Sequence, residues 1–219
     1  HFNKRHGLSF FDRLVAYLPR YAPVASKIGV LLNLRDKIPG LAFLSEQIIG
    51  FSKKRTLPKW HGRPFRLTEA NLTKHNQSNK EVVLWVDTFN TWFEPENARA
   101  ALKVLRASGY RVHVPVDPNK KRPLCCGRTF LAAGLIDEAK SEARRMINVL
   151  KPFVDRKVPI IGLEPSCLLT LRDEFQAMIP GADTNELAKR ALLFEEFLAQ
   201  EQDSGKLKIP LKPITPPNV

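Results

Sequence analysis

The run Val82-Val83-Leu84-Trp85-Val86 constrains this chain more than any other feature: five apolar residues in a row, of strand length, with nothing polar to turn toward water. Such a strand has to be covered on both faces, which calls for helices above and below a sheet. The residues that follow supply the first cover. Asp87 ends the run, Pro95 stands where the first turn of a helix accepts proline, and Ala98, Ala101, Leu102 and Leu105 recur at helical spacing until Gly109. The alternation continues with a strand over 110–116, a long amphipathic helix over 134–150, and a strand over 158–163. A helix through Leu168, Leu171 and Phe175 and a further helix over 184–200 complete it. The pattern predicts an α/β fold: a mainly parallel, Rossmann-like sheet with right-handed crossovers and helices on both faces.

This alternation starts only at residue 81. Before it, short amphipathic runs over 10–17 and 25–34 are cut by Pro19, Pro23, Pro39 and Gly40, which predicts an N-terminal segment of two or three short helices. From 50 to 80 the composition turns to Lys, Arg, Pro, Asn and Ser, with Lys53-Lys54-Arg55 and a polar run over 71–80, as in a loop or linker. Three parts result: a basic helical arm and linker over 1–80, an α/β domain over 81–205, and an apolar, proline-rich connection over 206–219. The first residue is His1 rather than Met, and no charged and apolar leader follows it, so the start reads as an internal cut in a longer chain.

Charge is divided the same way. Residues 1–80 hold 15 Lys and Arg against 4 Asp and Glu, a net +11, and residues 81–219 hold 20 against 18, a net +2; together they make the +13 of the chain. A basic arm of this kind faces an acidic partner domain, an anionic membrane or nucleic acid, or is simply a solvated surface. Nucleic acid is the weakest of these, because basic and aromatic residues do not alternate at the regular spacing of a base-stacking groove. The apolar stretches over 28–34 and 41–44 fall well short of the roughly 18 residues that a membrane-spanning helix needs. Three cysteines, two of them adjacent, do not make the framework of a secreted disulfide scaffold. A reducing compartment is expected, the cytoplasm, with peripheral contact at the inner face of the membrane left open by the basic arm. No glycine-rich phosphate loop and no serine nucleophile elbow occurs.

In a parallel sheet, ligands bind beyond the carboxyl ends of the strands, and all three cysteines fall there. Cys125 and Cys126 lie in the loop after the second strand. Cys167 lies just after the third, at the start of a helix whose amino end favours a thiolate. Thiolates are the ligands that iron–sulfur clusters use, and Gly127 would let the backbone approach closely or donate its amide hydrogen to sulfur. Two readings stay open on the residues alone, a metal or redox site and a set of inert buried thiols. Three cysteines also leave such a cluster short of ligands, which points to a missing segment.

The ordered strings Val86-Asp87-Thr88-Phe89, Glu94-Pro95-Glu96, Ser108-Gly109, Leu124-Cys125-Cys126-Gly127-Arg128 with Gly134, and Glu164-Pro165-Ser166-Cys167 resemble the cysteine-rich (CCG) domain. The likeness covers roughly residues 81–200. That domain is shared by the cysteine-rich subunit of heterodisulfide reductase, the iron–sulfur subunits of glycolate oxidase and anaerobic glycerol-3-phosphate dehydrogenase, and lactate-utilisation proteins. The nearest likeness is to large fused proteins of the D-lactate or D-2-hydroxyglutarate dehydrogenase type, which join an FAD-linked oxidase domain, a ferredoxin-like domain and CCG repeats.

The resemblance implies an electron-transfer module. A flavin elsewhere takes electrons from a D-2-hydroxy acid of the lactate, glycolate or 2-hydroxyglutarate class, and the CCG region relays them to a quinone or other acceptor. It implies metal ligation by Cys125, Cys126 and Cys167, with Gly127 and Arg128 beside the iron–sulfur cluster, and zinc in some members. In the family the motif normally occurs twice. Here a second CCG, the flavin domain and the C-x-x-C-x-x-C ferredoxin run are absent. The expected partners are those missing domains, FAD belongs to the full-length protein only, and the fragment alone is expected to be non-catalytic and without its cluster, or to hold zinc adventitiously.

Other candidates carry a plain reading beside a functional one. Asp87 caps a turn or positions a polar substrate. Arg128 binds a substrate carboxylate or offsets the charge of a cluster, or is a surface arginine. Glu164 handles protons near the cluster or is the exposed end of a strand. Trp85, Trp92 and Phe93 read as core, and His1, His6, His61, His75 and His113 show no paired ligand spacing. Two other function classes compete: a binding module whose arm docks anionic membrane or nucleic acid, and a zinc or thiol redox domain.

Overall fold

The computed structural model describes residues 7–66, 68–69, 79–118 and 122–207. Most of the polar run over 71–80, most of the connection over 206–219, and His1, His6 and His75 lie outside the described residues.

The arm folds into α1 (Phe10–Ala16), α2 (Leu18–Ala25), α3 (Gly29–Leu32), with 3₁₀ turns on either side of it, and α4 (Leu41–Ile49). Ser9 opens α1 by accepting from the amide of Asp12. Pro23 does not stop a helix as its residue type suggests; it lies inside α2, where it forgoes one backbone bond in a helix only eight residues long.

The α/β part begins with β1 (Glu81–Trp85), α5 (Thr88–Trp92), α6 (Pro95–Ala107) and β2 (Arg111–His113). It continues with α7 (Arg128–Ala132), α8 (Ile136–Asp155), β3 (Ile160–Gly162), α9 (Pro165–Arg172) and α10 (Glu174–Met178). It closes with α11 (Ala182–Arg190), β4 (Ala191–Leu193) and α12 (Phe194–Asp203). The four strands form one all-parallel sheet in the order β2-β1-β3-β4. Val83 of β1 sits opposite His113 on one side and Ile160 on the other.

The all-apolar run is one of the sheet's two interior strands. Val83 and Trp85 enter one core with Ile160, Met146, Leu150 and Leu168, the side covered by α8, α9 and α11. Val82, Leu84 and Val86 enter the other with Ile161, Leu102, Leu105 and Phe197, the side covered by α6 and α12. Each fully buried Leu or Ile of these layers contributes about 1.5–3 kcal/mol relative to exposure.

The helix expected over 184–200 is two helices separated by β4. Ala191-Leu192-Leu193 are good helix formers, which is why the residues alone read as continuous helix. Pairing wins because β3 would otherwise keep an open edge: Ile160 to Gly162 lie in register with Ala191 to Leu193. The break is held by Arg172, whose Nε donates to the Ala191 carbonyl at 2.8 Å, and by Glu196, which accepts from the Leu193 amide at 2.9 Å. The strands expected over 110–116 and 158–163 are each shortened to three residues.

The arm packs against the α/β part. Tyr17 meets Phe130 edge-on with ring centroids 5.2 Å apart, and Thr129 Oγ1 donates to the Ala16 carbonyl at 2.9 Å. Arg20 pairs with Glu138 on α8, and lies over the Phe130 ring. Residues 60–65 follow α5: the amides of His61 and Phe65 donate to the carbonyls of Trp92 and Thr91, both at 2.9 Å, and Phe65 is buried.

Candidate functional site

The strand order places a switch point between β1 and β3. The chain leaves β1 toward β2 on one side and later returns to β3 on the other, so the segments after β1 and β3 diverge at their carboxyl ends, where parallel sheets of this order bind ligands. Asp87 follows β1 directly and Cys167 is the third residue of α9, just after β3. The loop carrying Cys125 and Cys126 arrives from β2.

Asp87 is buried and caps α5. Its Oδ1 accepts from the amides of Phe89 at 2.8 Å and Asn90 at 3.1 Å, and its Oδ2 accepts from Asn90 Nδ2 at 2.6 Å. The plain reading of Asp87 as a cap holds. Burial nevertheless raises its pKa against those hydrogen bonds, and the nearby charge of Glu164 adds to the rise. Glu164 caps α9, its carboxylate accepting from the amide and hydroxyl of Ser166 at 3.4 and 2.8 Å.

A close approach sets α9 over the strand end. Gly162 lies under Leu168, whose Cδ1 is 2.7 Å from where a β-carbon would stand. Opposite, Trp85 Nε1 donates to the Leu124 carbonyl at 3.2 Å, which fixes the approach of Leu124-Cys125-Cys126 to the end of β1. Gly127 then turns the chain with φ +80, and a β-carbon there would stand 2.9 Å from the Ala139 carbonyl oxygen in α8. Only glycine meets both demands. Its amide donates to Cys125 Sγ at 3.3 Å.

The three thiols are buried and free, and they lie close enough for each to act on the next, Cys125 on Cys126 and Cys126 on Cys167. The bond to Cys126 and burial push the Cys125 thiol well above its ordinary range, while the Gly127 amide pulls the other way. Cys126 is pulled down by the bond from Cys125, yet its bond to Cys167 and burial carry it well above the ordinary range too. For Cys167 the bond from Cys126 lowers the pKa, but burial and the negative charge of Asp87 and Glu164 outweigh it. The amino end of α9 favours a thiolate at Cys167, while desolvation and the two carboxylates push the other way.

The donor set suits a thiophilic ion or cluster, with three sulfurs converging and backbone amides of Gly127 and Arg128 directed at Cys125 and Cys126. A row is not a ring, however. Among the described residues no group of three or more His, Cys, Asp or Glu side chains is arranged to hold a metal ion. Arg128 does not face the sulfurs: its guanidinium pairs with Glu174 at the surface, and only its main-chain amide serves the site. Trp85 is core and also holds the cysteine loop. His61 and His113 pair with Glu96 and Glu81, away from the thiols. The open cleft lined by Arg63, Arg66, Glu69, Glu96 and Arg99 contains none of the cysteines.

The residues missed in the sequence are the charged ones behind the cysteine loop. Arg145 and Glu142 stand three apart in α8 among the buried Ala139, Ala143, Met146 and Leu150, and both are buried. An opposite-charge pair at helical spacing inside an apolar stripe is a legible signal for a buried ion pair.

No family model and no solved structure matches the chain. Among curated proteins it is similar to a subunit of anaerobic glycerol-3-phosphate dehydrogenase from Escherichia coli strain K12, 25% identical over 193 residues, which is 87% of this chain and 47% of the relative. It is also similar to D-2-hydroxyglutarate dehydrogenase of Pantoea ananatis, 23% identical over 210 residues, covering 90% of this chain and 19% of the relative. The enzyme of that name from Escherichia coli strain K12 is 23% identical over 203 residues, again with 19% of its length covered. The chain thus spans about half the length of the first relative and a fifth of the others, and its relationship is to components of oxidoreductases.

Proposed function

We propose that this chain is the cysteine-bearing electron-transfer module of a flavin-linked dehydrogenase that oxidises a hydroxy acid or hydroxy phosphate, and that it is not catalytic alone. The observation that carries the reading is the convergence of Cys125, Cys126 and Cys167 from two separate crossovers at the carboxyl end of the sheet. The distant similarity to a glycerol-3-phosphate dehydrogenase component and to D-2-hydroxyglutarate dehydrogenases supports it. An iron–sulfur cluster, when bound, supplies one-electron storage that lets a two-electron donor feed a separate acceptor. In this chain Cys125, Cys126 and Cys167 would give up their protons and serve as three of its ligands, with the Gly127 and Arg128 amides toward the sulfurs. The surrounding apolar side chains keep water from the sulfurs. The remaining ligand, the FAD domain and the site where a quinone or other acceptor is reduced belong to other parts of the assembly.

The direct test is anaerobic reconstitution with iron and sulfide followed by metal and sulfide analysis. Iron with sulfide supports the module; zinc alone supports the zinc or thiol reading; neither metal when the remaining segments are supplied in trans refutes a metal site. In the whole enzyme Cys126→Ser should abolish transfer to the acceptor and leave flavin reduction by substrate intact. Unchanged turnover with the acceptor would sink the relay.

A second observation supports peripheral attachment to a membrane. Among the described residues, twelve of the fifteen exposed large apolar side chains lie between Phe10 and Ile48 of the arm, including Val30 at 75% and Ile48 at 67% exposure. The arm as a whole, residues 1–80, carries +11 of the chain's net +13, although residues 10–48 hold only 5 Lys and Arg against 3 Asp and Glu, and among the described residues no helix is long and apolar enough to cross a membrane. Exposed apolar side chains amid lysine and arginine suit the headgroup region of an anionic bilayer. Cosedimentation with vesicles containing phosphatidylglycerol, but not with pure phosphatidylcholine, is expected, and Val30→Asp with Leu31→Asp should release the protein. Equal behaviour with both vesicle types would remove this reading.

A further inference from the structure

The segment entering the cysteine motif has no regular structure and is half-buried at Arg122 and Pro123 and buried at Leu124, so its carbonyls need partners that a helix or sheet would otherwise provide. Side chains from the core provide them. Arg145 Nη2 donates to the Arg122 carbonyl at 2.7 Å, Arg145 Nη1 to the Pro123 carbonyl at 3.1 Å, and Trp85 Nε1 to the Leu124 carbonyl at 3.2 Å. Three consecutive carbonyls immediately before Cys125 are therefore each held by a side chain from an element of the core.

Arg145 is itself fixed. Its Nε donates to Asp117 at 2.6 Å and its Nη1 also reaches Glu142 at 3.2 Å, where Arg122 bonds the other carboxylate oxygen. The guanidinium is a planar fork with five donors, and here its nitrogens meet two carboxylates and two carbonyls. A lysine at the same place could not span the Asp117 side and the two carbonyls at once.

We propose that Arg145 is the positioning residue of the thiol site: it sets where Cys125 and Cys126 stand by holding the backbone that precedes them, without touching a sulfur. This rests on the thiol site being functional, as proposed above, but it makes its own prediction about the free thiols. Cys167 sits on α9 after a different strand and does not depend on that backbone.

The test compares the wild type with Arg145→Lys, Arg145→Met and, as a control on the same helix, the exposed Arg144→Met. Iodoacetamide labelling of the folded protein, read residue by residue by mass spectrometry, is expected to accelerate at least tenfold at Cys125 and Cys126 in Arg145→Lys, with Cys167 and the control unchanged. Should Arg145→Met fail to fold by circular dichroism, Arg145→Lys, which keeps the charge, decides alone. Labelling at wild-type rates in folded Arg145→Lys overturns the proposal, as does equal acceleration at all three thiols, which would mean general loosening. Anaerobic titration with Co(II) gives the second readout: thiolate-to-cobalt absorption should weaken or shift in Arg145→Lys and remain in Arg144→Met. If the wild type takes no cobalt even with the remaining segments supplied in trans, the metal reading fails while the labelling still judges Arg145.

Discussion

Replacing Gly127 with alanine asks the structure for two things at once, and a second glycine separates them. At Gly127 the backbone has φ +80, and the new β-carbon would stand 2.9 Å from the Ala139 carbonyl oxygen and 3.1 Å from its Cα, both main-chain atoms of α8. Gly109 has φ +85, but no atom lies within 4 Å of where its β-carbon would be. The left-handed conformation costs alanine about 1–2 kcal/mol, and its stiffer unfolded chain returns about 0.4–1 kcal/mol at either position. Overpacking adds about 1–3 kcal/mol at Gly127 alone. Net losses of about 1–4.6 kcal/mol for Gly127→Ala and about 0–1.6 kcal/mol for Gly109→Ala follow from these ranges. In a chain of this size each kcal/mol moves the midpoint about 2–4 °C, so thermal melts and urea unfolding by far-ultraviolet circular dichroism resolve the two. Equal losses would refute the claim that the CCG turn is pressed against α8.

Further expectations concern charge and protons at the same site. Asp87→Ala should lose about 1–2 kcal/mol as the cap of α5 disappears, and Asp87→Asn should lose less because Oδ1 still accepts from two amides. Because the charge of Asp87 helps raise the Cys167 pKa, Asp87→Asn should also shift the pH profile of Cys167 labelling to lower pH; an unmoved profile would show that the two groups do not interact. All three thiols hold their protons more tightly than ordinary cysteine, so binding of Zn(II) or Co(II) must release protons, and apparent affinity should rise steadily from pH 6 to about pH 9. A flat profile by competition titration would mean that the metal is bound elsewhere.

Much of the fold could be read from apolar spacing. The run at 82–86 required burial on both faces, and the two cores receive alternate residues of it. Gly109 and Pro95 marked the ends of α6 as their backbone preferences dictate. The strand at 191–193 could not be read, because Ala and Leu carry no strand preference and only the open edge of β3 decides their state. At the site, the strand-end position of the cysteines was legible because parallel sheets gather their loops there. The fate of Arg128 was not, since adjacency to a motif does not say which way a long side chain turns; Glu174, remote in sequence, decides it. Nor could the thiol protonation be read from a helix amino end alone, because burial and Asp87, at the end of β1, weigh against the thiolate alongside Glu164, the cap of the same helix.

The protonated row explains how one arrangement serves two conditions. Without a cation the three thiols keep their protons, because burial and, at Cys167, the negative charges of Asp87 and Glu164 disfavour the thiolates. Three thiolates in the same place would add three negative charges to a region that already includes Asp87, Glu142 and Glu164, all of which act on these thiols. Such a state is stable only with a multivalent cation among the sulfurs and with positive charge behind them. The positive charge is already there: Arg122 and Arg145 lower the pKa of Glu142 despite its burial. With three sulfurs available and a fourth ligand needed for a closed tetrahedral site, the energetics favour ligation only when another part of the assembly reaches the carboxyl ends of β1 and β3. Metal retention should therefore be weak in this chain alone and strengthen when the remaining segments are supplied in trans, and equal retention with and without them would show that the three thiols suffice.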